Sequence, residues 1–168
     1  MTALNGMGKG DEPVSTLPPS AHCLICGQHN PAGMQVRFER DDQGVRARLR
    51  PPAHFQGFAG LLHGGAVTAL LDDAMWWAVY ATREVITLTA DLQVRFRAPV
   101  PVGADLVVTA RLVAERPGRL YRAQGQVLDA SGRLLAEAEG KFLPAPPGLA
   151  ATLRGQLGES GGGSAPES

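Results

Sequence analysis

Residues 64–80 read GGAVTALLDDAMWWAVY, and the fold turns on this stretch. Ala, Leu, Met and Trp dominate it, and no polar–apolar alternation runs through it. A run of about 17 residues without alternation suits a helix, not a strand. Only Thr68, Asp72 and Asp73 interrupt its apolar surface. A helix that is apolar nearly all round is expected to be buried on most sides.

On either side of this stretch, every run has period two. Upstream, Val36 and Phe38 alternate within 33–40, and Val45, Ala47 and Leu49 alternate with three arginines. Residues 41–44 (Asp-Asp-Gln-Gly) between them give a hairpin signal. Downstream, Ile86, Leu88, Ala90, Leu92, Val94, Phe96 and Ala98 read as one unbroken face, with Thr87, Thr89, Asp91, Gln93, Arg95 and Arg97 opposite. Three further alternating runs follow around 106–112, 121–127 and 134–142, separated by turn-forming clusters. The order is two strands, one buried helix and four strands, expected to form an antiparallel meander. The fold class is α+β: a long central helix wrapped by a curved antiparallel sheet of about six strands. Open sheet edges invite a second copy of the chain, so a homodimer is expected.

The chain has 168 residues, with 16 Lys plus Arg against 16 Asp plus Glu. That balance argues against a nucleic-acid partner, which calls for a basic surplus. No apolar run reaches the ~18 residues of a membrane span. The opening MTALNGMGKGDEP has no apolar core of a secretory leader. A cytoplasmic location is expected. Residues 1–20 and 148–168, rich in Gly, Pro and Ser, are expected to be disordered tails around a domain at 21–147, with 144–147 (Pro-Ala-Pro-Pro) as its stop.

The polar residues of the helix are the candidates for chemistry. A buried carboxylate without partners costs several kcal/mol, so an aspartate kept among Leu70, Leu71, Ala74 and Met75 calls for a reason. At the helix start, Gly64 and Gly65 are poor helix formers. They make sense where free N–H groups must approach a ligand, an arrangement suited to an oxyanion. His63 and Asp72 are nine positions apart. One helix holds them about 13 Å apart and on opposite faces. A site using both therefore draws them from two chains related by a two-fold axis.

These residues carry a resemblance. HisGlyGly followed by Asp at the ninth position, in 63–72, resembles the hotdog-fold acyl-CoA thioesterases of the PaaI-like type. The loop 55–60, the strand and Pro-containing turn 89–103, and the segment 23–34 are similar to the family's. The resemblance spans about residues 23–143. It implies the hotdog fold and hydrolysis of an acyl-CoA to free acid and coenzyme A. It implies Asp72 as general base or nucleophile and the Gly64 N–H as polariser of the thioester carbonyl. By the same resemblance His63 lies beside the thioester, Thr89 orients the carboxylate or water, and Gln56 assists the carbonyl. Gly65, Asp73, Arg95 and Arg97 are candidates for substrate contact, the arginines toward coenzyme A phosphates. Strict alternation turns Thr89 away from its own helix, a tension that a local irregularity of the strand would remove.

No metal or cofactor is expected. Residues 22–29 read HisCysLeuIleCysGlyGlnHis, but one CxxC without a second pair is a weak metal signal. Two alternatives stand beside the thioesterase reading: a hotdog hydroxyacyl-thioester dehydratase or hydratase, and a non-catalytic acyl-CoA-binding domain. The acyl group, and dimer against dimer of dimers, stay open. Met75, Trp76, Trp77 and Tyr80 are candidates for an acyl pocket or for core.

Overall fold

The computed structural model describes residues 15–158. Of the expected tails, residues 1–14 and 159–168 lie outside the described residues. The elements are β1 (Glu39–Asp41), β2 (Gly44–Leu49), α1 (Gly64–Arg83), β3 (Thr87–Phe96), β4 (Leu106–Arg116), β5 (Leu120–Asp129), β6 (Leu134–Pro144) and α2 (Pro147–Gly155). All six strands join one antiparallel sheet in the order β1-β2-β4-β5-β6-β3.

The sheet wraps α1 as the apolar sequence requires. Leu70, Leu71, Ala74, Met75, Ala78 and Val79 have no exposed surface. Each large aliphatic side chain buried this way contributes about 1.5–3 kcal/mol. The sheet offers small residues where the helix presses closest. A Cβ on Gly125 would lie 3.2 Å from both Leu71 and Met75. Glu84, in the left-handed conformation, ends the helix, and its N–H donates to the Tyr80 carbonyl at 2.7 Å.

Three expectations change. Strand β3 does not continue a meander into β4. It pairs with β6 and forms the far edge of the sheet. The connection at 98–103 is not a hairpin turn: it holds Pro99 and Pro101 and runs along the loop before α1. Leu62 N–H donates to the Val100 carbonyl and Val102 N–H to the Gly60 carbonyl. This crossing carries the chain to the other side of the sheet. Secondly, the strand expected over 33–40 shrinks to Glu39–Asp41, although Val36 and Phe38 are buried as its alternation implied.

Thirdly, the domain does not stop at Pro147. Pro146 caps a helix and Pro147 opens it. Proline is tolerated in a first helical turn, where its missing N–H would have no partner. Arg154 of α2 donates to the Glu84 carbonyl at 2.9 Å, tying α2 to the end of α1. At the other end, Leu17 is buried and Ser20 bridges to Leu157, so the ordered chain begins before residue 21.

Candidate active site

Asp72 and Thr89 come together. The Thr89 hydroxyl donates to Asp72 Oδ1 at 2.8 Å. A bulge makes this contact. The register of β3 against β6 shifts between Thr89 and Asp91. Before the shift Thr87 and Thr89 face α1; after it Leu92 and Val94 pack on the core instead. The unbroken apolar face expected from Ile86 to Ala98 is thus broken: Leu88 turns outward, 44% exposed. A bulge inserts one residue and reverses the parity of a strand.

Burial holds the Asp72 carboxyl above the ordinary aspartate value of 3.8, and the Thr89 hydroxyl acts against that by stabilising the charged form. A carboxylate so shifted is a stronger base that is still ionised on the alkaline side of its pKa. The sign gives a prediction for Thr89→Ala. Removing the donor should raise the Asp72 pKa further, so the acid limb of kcat/KM against pH moves to higher pH. A limb that stays in place, or moves down, would separate Thr89 from Asp72.

The start of α1 holds a second group of candidate residues. His63 is the N-cap, and its Nδ1 accepts from Gly65 N–H at 2.9 Å. With Nδ1 accepting, a neutral ring carries its proton on Nε2. Glycines sandwich that ring: a Cβ on Gly57 would meet His63 Cδ2 at 3.1 Å, and one on Gly65 would meet His63 Nδ1 at 3.0 Å. The Gly65 N–H is therefore engaged by His63, and Gly65 is glycine because the imidazole lies against it. The Gly64 N–H differs. It is exposed at the helix N-terminus and finds no partner among the described residues. Gln56 braces the preceding loop, its Oε1 accepting from Gly60 N–H at 3.1 Å.

Within one chain the two groups of candidates lie apart. Gly64 and His63 line a cavity of about 490 Å³ with Phe58, Phe96 and Arg97. Asp72 and Asp73 line a different one, of about 250 Å³, with Trp76, Trp77 and Thr87. The two share no lining residue. Arg97 is paired with Glu137 at 2.5 Å, and Arg95 lies over the helix-free face of the sheet among Arg46, Arg111 and Glu139. Met75 and Trp77 belong to the core, while Trp76 and Tyr80 are half-buried and stacked at 5.4 Å.

Asp73 has its own surroundings. It faces Cys23 and Cys26, with Cys23 Sγ 3.8 Å from its Oδ1. Burial, reinforced by Cys23, pushes its carboxyl well above the ordinary range. The Cys26 thiol and nearby backbone N–H groups lower Cys23 to about 6 against the cost of burial, while Cys26 is pushed up by Cys23 and by burial. Among the described residues, three buried side-chain atoms lack a hydrogen-bond partner: Asp73 Oδ2, Trp77 Nε1 and Thr87 Oγ1. All three residues line the cavity that holds Asp72. The sequence had given no sign of this cluster, because Asp73 stands 47 positions beyond Cys26.

A long buried helix inside an antiparallel six-stranded sheet, with polar residues at its start and middle, is the hotdog architecture. Residues 59–135 match the family model of the thioesterase superfamily. It is 32% identical over 75 residues to acyl-coenzyme A thioesterase THEM4 of Rattus norvegicus, covering 45% of this chain and 32% of that protein. The chain thus spans about a third of that curated relative's length. A solved thioesterase superfamily protein superposes with a TM-score of 0.68 at 28% identity, covering 73% of this chain and 60% of that one. The PaaI protein of E. coli, from the phenylacetic acid degradation operon, shares the fold with a TM-score of 0.61 at 16% identity, covering 67% of this chain and 81% of that one.

Proposed function

We propose that this chain hydrolyses acyl-CoA thioesters, in a site completed by two copies of the chain. The observation that carries the reading is the Thr89–Asp72 hydrogen bond beside a cavity, with a carboxyl that burial makes more basic. The superfamily match and the acyl-coenzyme A thioesterase relative support the reaction class.

A thioester carbonyl is weakly resonance-stabilised, so attack by water needs modest help. The carbonyl oxygen accepts from the Gly64 N–H, where the helix dipole adds to the donor. Asp72 takes a proton from water as its oxygen attacks the carbonyl carbon, or attacks that carbon itself to give an anhydride that water then opens. The thiolate of coenzyme A leaves and the free acid remains. The His63 ring, held as the helix cap, presents Nε2–H beside the thioester.

The geometry of β3 supports the shared site. Thr89, near Asp72, and Phe96, near Gly64, lie toward opposite ends of this edge strand. Antiparallel pairing of two such edges about a two-fold axis midway between them would set Thr89 of one chain near Phe96 of the other. Asp72 of one copy would then approach Gly64 of its partner. Phe96 is 54% exposed on a single chain, apolar surface such pairing would cover.

The test is thiol release from a panel of short, medium, long and aromatic acyl-CoAs. Turnover of at least one class is expected, and the panel then names the acyl group. A purified dimer that cleaves none of them would contradict the reading.

A further inference from the structure

We propose that Cys23, Cys26 and Asp73 form a binding site for a thiophilic divalent cation of the zinc class. The three donor atoms lie within 4.8 Å of one another. Cys23 Sγ and Asp73 Oδ1 are 3.8 Å apart. With a zinc–sulfur bond of ~2.3 Å and a zinc–oxygen bond of ~2.0–2.2 Å, a tetrahedral ion sets such a pair roughly 3.5–3.7 Å apart. The pair is thus within a few tenths of an ångström of joint coordination, while 3.8 Å is a long contact for a weak thiol donor.

The cysteine turn is built to present its sulfurs. Ile25 N–H donates to Cys23 Sγ at 3.3 Å, the kind of surrounding hydrogen bond that orients a metal ligand. The turn closes so tightly that a Cβ on Gly27 would meet the Cys23 carbonyl oxygen at 2.4 Å and the Cys23 nitrogen at 2.5 Å, both backbone atoms that cannot move aside. The second observation is on α1. Asp73 Oδ2 is buried and has no partner among the described residues. Burying a carboxylate with an unpaired oxygen is costly, and a cation bound by that carboxylate and two sulfurs offsets the cost. Two thiolates with one carboxylate favour zinc over magnesium or calcium, which prefer all-oxygen shells. Three protein donors leave a fourth position for water from the cavity shared with Asp72. The thioester chemistry proposed above uses none of the three residues, so the ion would act by fixing the N-terminal segment to the helix that carries Asp72.

The test uses the full chain without an affinity tag, reduced and kept anaerobic, stripped by a chelator and titrated with cobalt(II), then zinc. The chain has two cysteines, so thiolate-to-cobalt charge-transfer absorption can arise only from Cys23 and Cys26. One cobalt per chain is expected, with that absorption, displaced by zinc. Cys26→Ser should abolish the band. Asp73→Asn should weaken affinity by about 100-fold or more, and His22→Ala with His29→Ala should leave it unchanged. A folded, reduced wild-type chain that takes up neither metal overturns the proposal. Equal binding by Asp73→Asn, or loss of binding in the histidine variant, overturns the ligand set. The readout is metal content and absorption, so it stands apart from hydrolysis.

Discussion

Asp72→Asn is expected to lower kcat for thioester hydrolysis by about 10³-fold, within the ~10²–10⁴ attributed to a positioned general base. That is about 4 kcal/mol of transition-state stabilisation. The substitution is close to isosteric and its carbonyl oxygen can still accept from Thr89, so the packing around α1 should survive. It also removes a charge that burial disfavours, and the folded chain should be no less stable. The loss should therefore appear in kcat with the mass of the assembly unchanged. An Asn variant as fast as the wild type would remove Asp72 from the reaction.

Gly64→Pro should cost about 10²–10³ in kcat, the usual effect of losing one oxyanion donor. The site suits the substitution unusually well. Gly64 is the first residue of α1, where proline is favoured, and the change deletes the N–H while leaving the helix intact. The preceding His63 has φ −60° and ψ 138°, the extended conformation that a residue before proline adopts. Gly64→Ala is the matching control, since it keeps the N–H and its Cβ would meet only the Phe96 ring, at 3.5 Å. The thiol-release assay on the same acyl-CoA compares the pair. Equal rates for the proline and alanine variants would show that the N–H is not the donor.

Much of this architecture was legible in the sequence because it rests on period. The apolar run at 64–80 reads as a buried helix, and it becomes α1 (Gly64–Arg83). The alternating runs become strands, and the spacing from His63 to Asp72 sets the two residues apart, in different cavities. What escaped has physical reasons. A bulge leaves no mark on an alternating pattern, so the inward turn of Thr89 was visible only as a tension. Strand order is set by the crossing at 98–103, which pairs with the loop at 60–62, a long-range event that local pattern does not encode. Prolines at 144–147 read as a stop, yet proline also opens helices, and α2 begins there. Cys23 and Cys26 are flanked in sequence by His22 and His29, whereas the fold places Asp73 beside them.

Chain mixing decides whether Asp72 and Gly64 act together across two chains. Asp72→Asn and Gly64→Pro chains, each nearly inactive alone, are unfolded together, refolded at equal amounts and assayed for thiol release. A mixed dimer would pair the intact Gly64 of one chain with the intact Asp72 of the other at one of its two sites. Random pairing makes half the dimers mixed, so about a quarter of wild-type activity should return. A mixture that stays at the sum of the two residual rates, with mixed dimers demonstrated by mass, would contradict the shared site.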